Sequence, residues 1–330
     1  MSQDVISCEY HAAKARWNVV RMMRASGAGH LGGALSCIDI VTALYFRTMK
    51  NDPANPTDPA RDRFVLSAGH KGMSQYGVLA EAGYFPIEEL DTYGQLGSHI
   101  PGHPDMHKLP GIEANTGALG HGLSISLGMA LGARLSGGAS RVFTVLGDGE
   151  LPEGSNWEAF AAAAHHRVDN LIAIIDDNGL QISGKTADVM GLEPIEDHLR
   201  AFGWSVRVID GNDMEQVIST LDQVPFEEGK PSAIVAHTVK GKGISFAENQ
   251  VGYHYWKPKG DELERAEAEL EAQIAAKQQE LVGILGNTAG NNAVLGGVAP
   301  PAAAPGIASA QTGERVGAVA LLLELSQGKA

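Results

Sequence analysis

The stretch Val145–Phe160 reads VLGDGELPEGSNWEAF. An aliphatic run, Val142–Leu146, ends in a glycine pair, the pattern of a strand feeding a turn where backbone approaches a ligand closely. Turns of this kind commonly serve phosphates, yet this one carries Asp148, Glu150 and Glu153. About thirty residues on, a second apolar run ends in another acidic turn, LIAIIDDNGL at Leu171–Leu180. A strand, a helix and a parallel strand form a right-handed unit. Both turns are then expected at one edge of the sheet, beyond the strand C-termini, where open α/β sheets bind ligands. Asp148 and Asn178 would face one crevice. A carboxylate and an amide oxygen are hard ligands suited to Mg²⁺ or Ca²⁺. The carboxylate therefore need not meet a phosphate directly; it can hold the cation that does. Ordinary turn chemistry competes with this reading, because Asp, Asn and Gly are common in loops. Each motif alone is weak, and the two in order after two strands are far more specific.

Outward from this unit, short apolar runs recur at Phe64–Leu66, Val206–Ile209 and Ala233–Ala236. Helix-like stretches lie at His11–Arg24, Ser36–Arg47, Gly122–Leu135, Trp157–His165, Ile195–Phe202 and Met214–Leu221, with Ser36 a candidate N-cap. Strands alternating with helices predict an α/β fold, a mostly parallel sheet with helices on both faces. The chain has 330 residues, 44% hydrophobic and 19% charged, enough for a large core. Its net charge of −14 argues against nucleic acid as a partner, which needs a basic surface. No apolar run approaches the roughly 20 residues of a membrane span. The charged N-terminus has no apolar signal core, and Cys8 and Cys37 have no framework spacing, so a reduced, cytoplasmic setting is expected.

Gly283–Gly313 contains no Asp, Glu, Lys or Arg and is dense in Gly, Ala, Pro and Asn. It reads as a linker. The expected organisation is a domain over residues 1–282, a linker over 283–313 and a short helix-like segment over 314–330, which docks on its own domain or on something else.

The GDG of Gly147–Gly149 and the Asn at 178 together resemble the thiamine diphosphate motif. The similarity extends to GHLGG at Gly29–Gly33, DRFVLSAGHKG at Asp62–Gly72, LGSHIPGHP at Leu96–Pro104, TGALGHGL at Thr116–Leu123 and KGKGISFAEN at Lys240–Asn249. Over roughly residues 10–260, and in the family's order, the chain resembles the N-terminal, diphosphate-binding domain of transketolase. The resemblance implies thiamine diphosphate and Mg²⁺ as cofactors, with Ca²⁺ as a substitute. Asp148, Asn178 and the backbone oxygen of Leu180 match the metal ligands. Gly149 matches a glycine whose backbone lies against the diphosphate, and His70 and His254 match diphosphate-contacting histidines. Gly117 and Leu119 match residues lining the cofactor, with Ile182 packed near it. Glu153 matches a carboxylate at the subunit interface, and His30 and His103 match histidines around the donor sugar's hydroxyl and keto groups. Proton transfer and hydrogen bonding near neutral pH suit His.

A full-length transketolase adds a pyrimidine-binding domain and a C-terminal domain, and no stretch here resembles them. The expectation is one subunit of a split transketolase, with two copies of each chain and sugar phosphates as substrates. Two departures bear on the donor. YHYWKP at Tyr253–Pro258 replaces the more usual His-Gly, so Tyr255 and Trp256 are expected to reshape the cofactor entrance or donor site. His121 stands where glutamine is common. A decarboxylating synthase or 2-oxoacid dehydrogenase component shares the metal motif, and a non-catalytic binding or regulatory subunit is an alternative of another class. His99, His103 and His107 sit four apart, but Pro101, Gly102 and Pro104 oppose the helix that a histidine metal site would need.

Overall fold

The computed structural model of the chain describes residues 2–294. In chain order its helices are α1 (Gln3–Ser26), α2 (Leu31–Ser36), α3 (Ile38–Ala43), α4 (Gly72–Glu81), α5 (Gly122–Leu135), α6 (Gly154–His165), α7 (Thr186–Met190), α8 (Ile195–Ala201), α9 (Met214–Leu221) and α10 (Glu262–Val294). The strands are β1 (Arg63–Leu66), β2 (Val142–Gly147), β3 (Leu171–Asp177), β4 (Ser205–Asp210) and β5 (Ser232–His237). They form one sheet in the order β1-β2-β3-β5-β4, and every pair is parallel.

A parallel sheet is covered on both faces, so its central strands read as continuous apolar runs. Every residue of β2 and β3 is buried. Side chains alternate between faces with a period of two. Phe143, Val145, Ile172 and Ile174 join the core beneath α1, α3, α4 and α9. Val142, Leu146, Leu171, Ala173 and Ile175 join a second core beneath α5, α6 and α8. β4 lies at the sheet edge and is only partly buried. Its Arg207 guanidinium covers the Phe226 ring at 4.8 Å.

Helix α1 begins earlier than the apolar pattern implies, because the Ser2 hydroxyl accepts the Val5 N–H at 3.3 Å. Gly27, at φ 71°, ends it in the left-handed region that glycine tolerates. The expected single helix over Ser36–Arg47 is instead α2, a break at Cys37, α3 and a wider π-turn over Leu44–Thr48. Ser36 is not an N-cap. Its hydroxyl is drawn inward, donating to the Gly33 carbonyl at 3.0 Å and to the Asp176 carboxylate at 2.6 Å. An N-cap hydroxyl accepts a backbone N–H, whereas this one donates to a buried carboxylate, a charge-assisted bond.

The main compact unit is Met1–Gly286. The boundary expected near residue 282 falls within α10, which runs to Val294. Nothing in residues 283–294 forces a stop, since the first proline after it is Pro300. The rest of the expected linker, and the segment over 314–330, lie outside the described residues.

Candidate active site

Four strand ends and the loop before α2 converge at the C-terminal edge of the sheet. Gly147 pairs with Asp176 across β2 and β3, so the turns after both strands lie side by side. Beyond them opens a cavity of about 320 Å³. His30, His70, Gly117, Leu119, Asp148, Gly149, Asn178, Leu180, Ile182 and His254 all line it. Two expected site residues do not. His103 stands just outside, its ring 6.4 Å from that of His30. Glu153 is an exposed residue at the start of α6 with no side-chain hydrogen bond to the helix.

Close approach of loops requires glycine at two points here. A Cβ on Gly69, next to His70, would stand 2.6 Å from the Gly117 nitrogen. A Cβ on Gly120, at φ +83°, would stand 2.5 Å from the Glu153 Cβ. The loop carrying Gly117 and Leu119 is thus pressed against both the His70 turn and the start of α6.

Asp148 is buried, and its Oδ2 accepts the Gly179 N–H at 2.9 Å and the Thr186 hydroxyl at 2.7 Å. Burial raises its pKa, and the Lys71 ammonium partly opposes that rise. The Asn178 Oδ1 accepts the Leu180 N–H at 3.2 Å. Lys240, itself buried, donates from Nζ to the Leu180 carbonyl at 2.8 Å and lies 2.9 Å from His254 Nδ1. Burial and the neighbouring Lys71 lower the Lys240 ammonium to about 8. A carboxylate, an amide oxygen and a carbonyl oxygen thus occupy adjacent turns, a donor set that fits a hard cation. Among the described residues no cluster of three or more His, Cys, Asp or Glu offers another metal site. Beside these turns the Gln181 Nε2 is buried without a hydrogen-bond partner, and Gln181 lines the cavity. An unsatisfied buried N–H donor there fits an anionic ligand.

The histidines form one cluster. The His30 ring centroid lies 5.4 Å from that of His70, 5.5 Å from His254 and 4.9 Å from the Tyr255 ring. Burial, then nearby positive groups, lower His70 to about 2 and His254 to about 3. His30 is also lowered, by burial, His103 and Lys240. These three imidazoles are neutral near pH 7, each with one donor and one acceptor nitrogen.

Tyr255 is half exposed beside His30, but Trp256 is not at the entrance. Trp256 is buried in the main core, its backbone bridges to Gly29 and its indole donates to Glu262 at 3.0 Å. The indole's large apolar surface gains more from the core than from solvent. His121 is exposed, with Nδ1 3.2 Å from the Leu119 carbonyl.

Sequence reasoning passed over Lys71, Asp176, Lys240 and Gln181, and named Glu150 without giving it a role. All but Asp176 line the cavity. Lys71 and Asp176 are a buried ion pair at 2.5 Å. Glu150 is pushed up to about 7 by burial, against the pull of its Ser67 hydrogen bond and Lys71. For all but the neutral Gln181, the available signal was a charged residue inside a glycine-rich or strand-terminal motif, where water is scarce.

Residues 9–277 match the family described as transketolase, thiamine diphosphate binding domain. The chain is 44% identical over 275 residues to the 6-deoxy-6-sulfo-D-fructose transketolase subunit of a Clostridium species, covering 83% of this chain and 100% of that one. It is 46% identical over 252 residues to an apulose-4-phosphate transketolase subunit of Actinobacillus succinogenes, covering 76% of this chain and 91% of that one. The solved transketolase of Leishmania mexicana superposes with a TM-score of 0.73 at 27% identity, over 87% of this chain and 47% of that one. This chain therefore spans nearly all of the two subunits and about half of the solved transketolase.

Proposed function

The chain belongs to the transketolase family, as a subunit of a split, thiamine diphosphate-dependent transferase, and on that footing we propose that it transfers a two-carbon ketol unit from a ketose phosphate to an aldose acceptor. Residues 1–282 are read as the diphosphate-binding domain. In this reading Asp148, the Asn178 amide oxygen and the Leu180 carbonyl hold Mg²⁺, or Ca²⁺ in its place. The Gly149 backbone, His70, His254 and the Gln181 amide meet the diphosphate. Gly117, Leu119 and Ile182 line the rest of the cofactor. When bound, thiamine diphosphate supplies the carbanion chemistry through its ylid, and the protein supplies orientation and electrostatics. His30, kept neutral by burial, and His103 at the rim exchange hydrogen bonds and protons with the donor's hydroxyl and keto oxygens.

The second polypeptide is proposed to supply the pyrimidine side of the site, with two copies of each chain and Glu153 at the interface between paired sites. Support comes from the relatives, which are named as subunits and which this chain covers almost entirely. Their names also favour a donor with a terminal anionic group, a sulfonate in one and a phosphate in the other. Free, buried Cys8 and Cys37 suit a reducing cytoplasm. Among the described residues no helix is long and apolar enough to cross a membrane.

The observation that carries this reading is the union, in one cavity, of a hard-cation donor set and a cluster of neutral histidines. The test is ketol transfer by the chain assembled with its partner, supplied with thiamine diphosphate, Mg²⁺, a ketose phosphate and an aldose. Release of CO₂ from a 2-oxoacid without ketol transfer would favour a decarboxylating enzyme. Cofactor binding without any turnover would favour a regulatory role.

A further inference from the structure

The Lys71–Asp176 pair lies wholly inside the protein, the side chains 3% and 0% exposed. Burying two charges costs several kcal/mol per ion before their attraction repays it, and apolar residues of similar volume fill such space at least as well. A purely structural role therefore gives little reason for charge at this position. The contacts supply one.

Asp176 is saturated. Its Oδ2 accepts from Lys71 Nζ at 2.5 Å, from the Ser36 hydroxyl at 2.6 Å and from the Asn178 Nδ2 at 3.4 Å, and its Oδ1 accepts from the Thr238 hydroxyl. The contact to Asn178 acts together with the Leu180 N–H to set which way that amide faces. With Nδ2 turned to Asp176, Oδ1 is left toward the turn at Leu180. Lys71 lines the cavity, and its ammonium lies 3.1 Å from where a Cβ on Gly147, the residue before Asp148, would stand. The ammonium has three N–H groups. Among the described residues it has one hydrogen-bond acceptor, Asp176. The cavity is lined by the carboxyl groups of Asp148 and Glu150, an unfavourable setting for a diphosphate without opposing charge, which the ammonium groups of Lys71 and Lys240 supply.

We propose that the Lys71–Asp176 pair is a positioning device for the metal–diphosphate end of the cofactor, Asp176 orienting the Asn178 amide and Lys71 holding a permanent positive charge beneath the Gly147–Asp148 turn. The inference rests on the functional reading above. Lys71 and Asp176 act through Asn178 and through the local field, so both are positioning residues.

The test is calorimetry of thiamine diphosphate binding in the presence of Mg²⁺, on the chain assembled with its partner, beside thermal unfolding of the same samples. Lys71→Met alone should unfold at lower temperature, because it strands a buried carboxylate. The double variant Lys71→Met with Asp176→Asn removes both charges and should recover most of that thermal stability. Its cofactor affinity should nevertheless stay about tenfold or more weaker than wild type, the loss expected when a partner that orients a metal ligand is removed. Recovery of stability together with wild-type affinity would overturn the proposal and leave the pair structural. The isosteric single variant Asp176→Asn provides a second arm if the double variant does not fold. It loosens the hold on Asn178, so the Mg²⁺ concentration for half-maximal cofactor binding should rise several-fold. An unchanged Mg²⁺ requirement would also overturn the proposal. Wild-type assemblies that bind no cofactor at all would sink the functional reading, and this inference with it.

Discussion

Asp148 shows how one residue serves both site and scaffold. Its side chain is 3% exposed and ties the turn after β2 to Gly179 and Thr186. Asp148→Ala should abolish retention of thiamine diphosphate with Mg²⁺ and also cost about 1–3 kcal/mol of stability, since buried donors lose their acceptor. Calorimetry and urea unfolding read the two effects separately, and unchanged cofactor affinity would refute the metal role. His103 should behave differently, because it stands at the rim. His103→Ala is expected to lower turnover by on the order of 10²-fold while cofactor affinity changes little. A collapse of cofactor affinity with normal turnover at saturation would place His103 at the diphosphate instead. His70 carries a pH signature. Its pKa falls from 6.5 to about 2 in the folded chain, chiefly by burial. The unfolded chain therefore binds the proton more readily. Stability from this group is full above about 6.5 and is lost as pH falls toward 2. Between pH 7 and 5 the urea midpoint should drop, and His70→Gln should make that drop shallower.

At the scale of elements, the start of α5 locks against the end of β1. A Cβ on Gly122 would stand 2.4 Å from the Ser67 Cβ, and the Ser67 hydroxyl in turn donates to Glu150 beneath the GDG turn. Gly122→Ala should therefore destabilise the fold by about 1–3 kcal/mol through overpacking, rather than stabilise a helix as Gly→Ala does at an open site. Gly128, on the same helix, has no atom within 4 Å of its Cβ position, so Gly128→Ala is the matched control and should be neutral or stabilising. Denaturant midpoints of the two variants check the contrast. Periodicity alone treats both glycines alike. It also read Ser36–Arg47 as one helix, because nothing local announces that Ser36 will turn its hydroxyl to a carboxylate 140 residues away.

For the whole molecule, the parallel order β1-β2-β3-β5-β4 collects into one edge residues as far apart as His30 and His254. A thiamine site of the kind proposed lies between two domains, one holding the diphosphate and the other the pyrimidine. Glu150 lines the cavity beside the residues proposed to hold the diphosphate, and Glu153 lies outside it, so in this reading neither is placed to act on the pyrimidine. The isolated chain should therefore show no ketol transfer even with excess cofactor and Mg²⁺. Adding the partner should restore transfer, raise the unfolding temperature through linkage and yield an assembly with two copies of each chain. Native mass spectrometry and a coupled ketol-transfer assay test this together. Transfer by the mass-verified single chain would refute it.

Local features were legible in the chain alone. Apolar runs marked five strands, glycine and acidic residues marked the two turns that line the cavity, and the thirty-residue spacing from Asp148 to Asn178 put both at one sheet edge, because a parallel crossover permits no other placement. Which side chains meet was settled by the packed fold. Lys71 and Asp176 are 105 residues apart, and nothing near either one names the other. The burial of Trp256, the exposure of Glu153 and the convergence of four histidines likewise depend on how loops from different strands pack. The physical reason is range. Backbone preference and hydrophobic period act over a turn or a strand, whereas a buried charge is tolerable only where the completed fold brings it a partner.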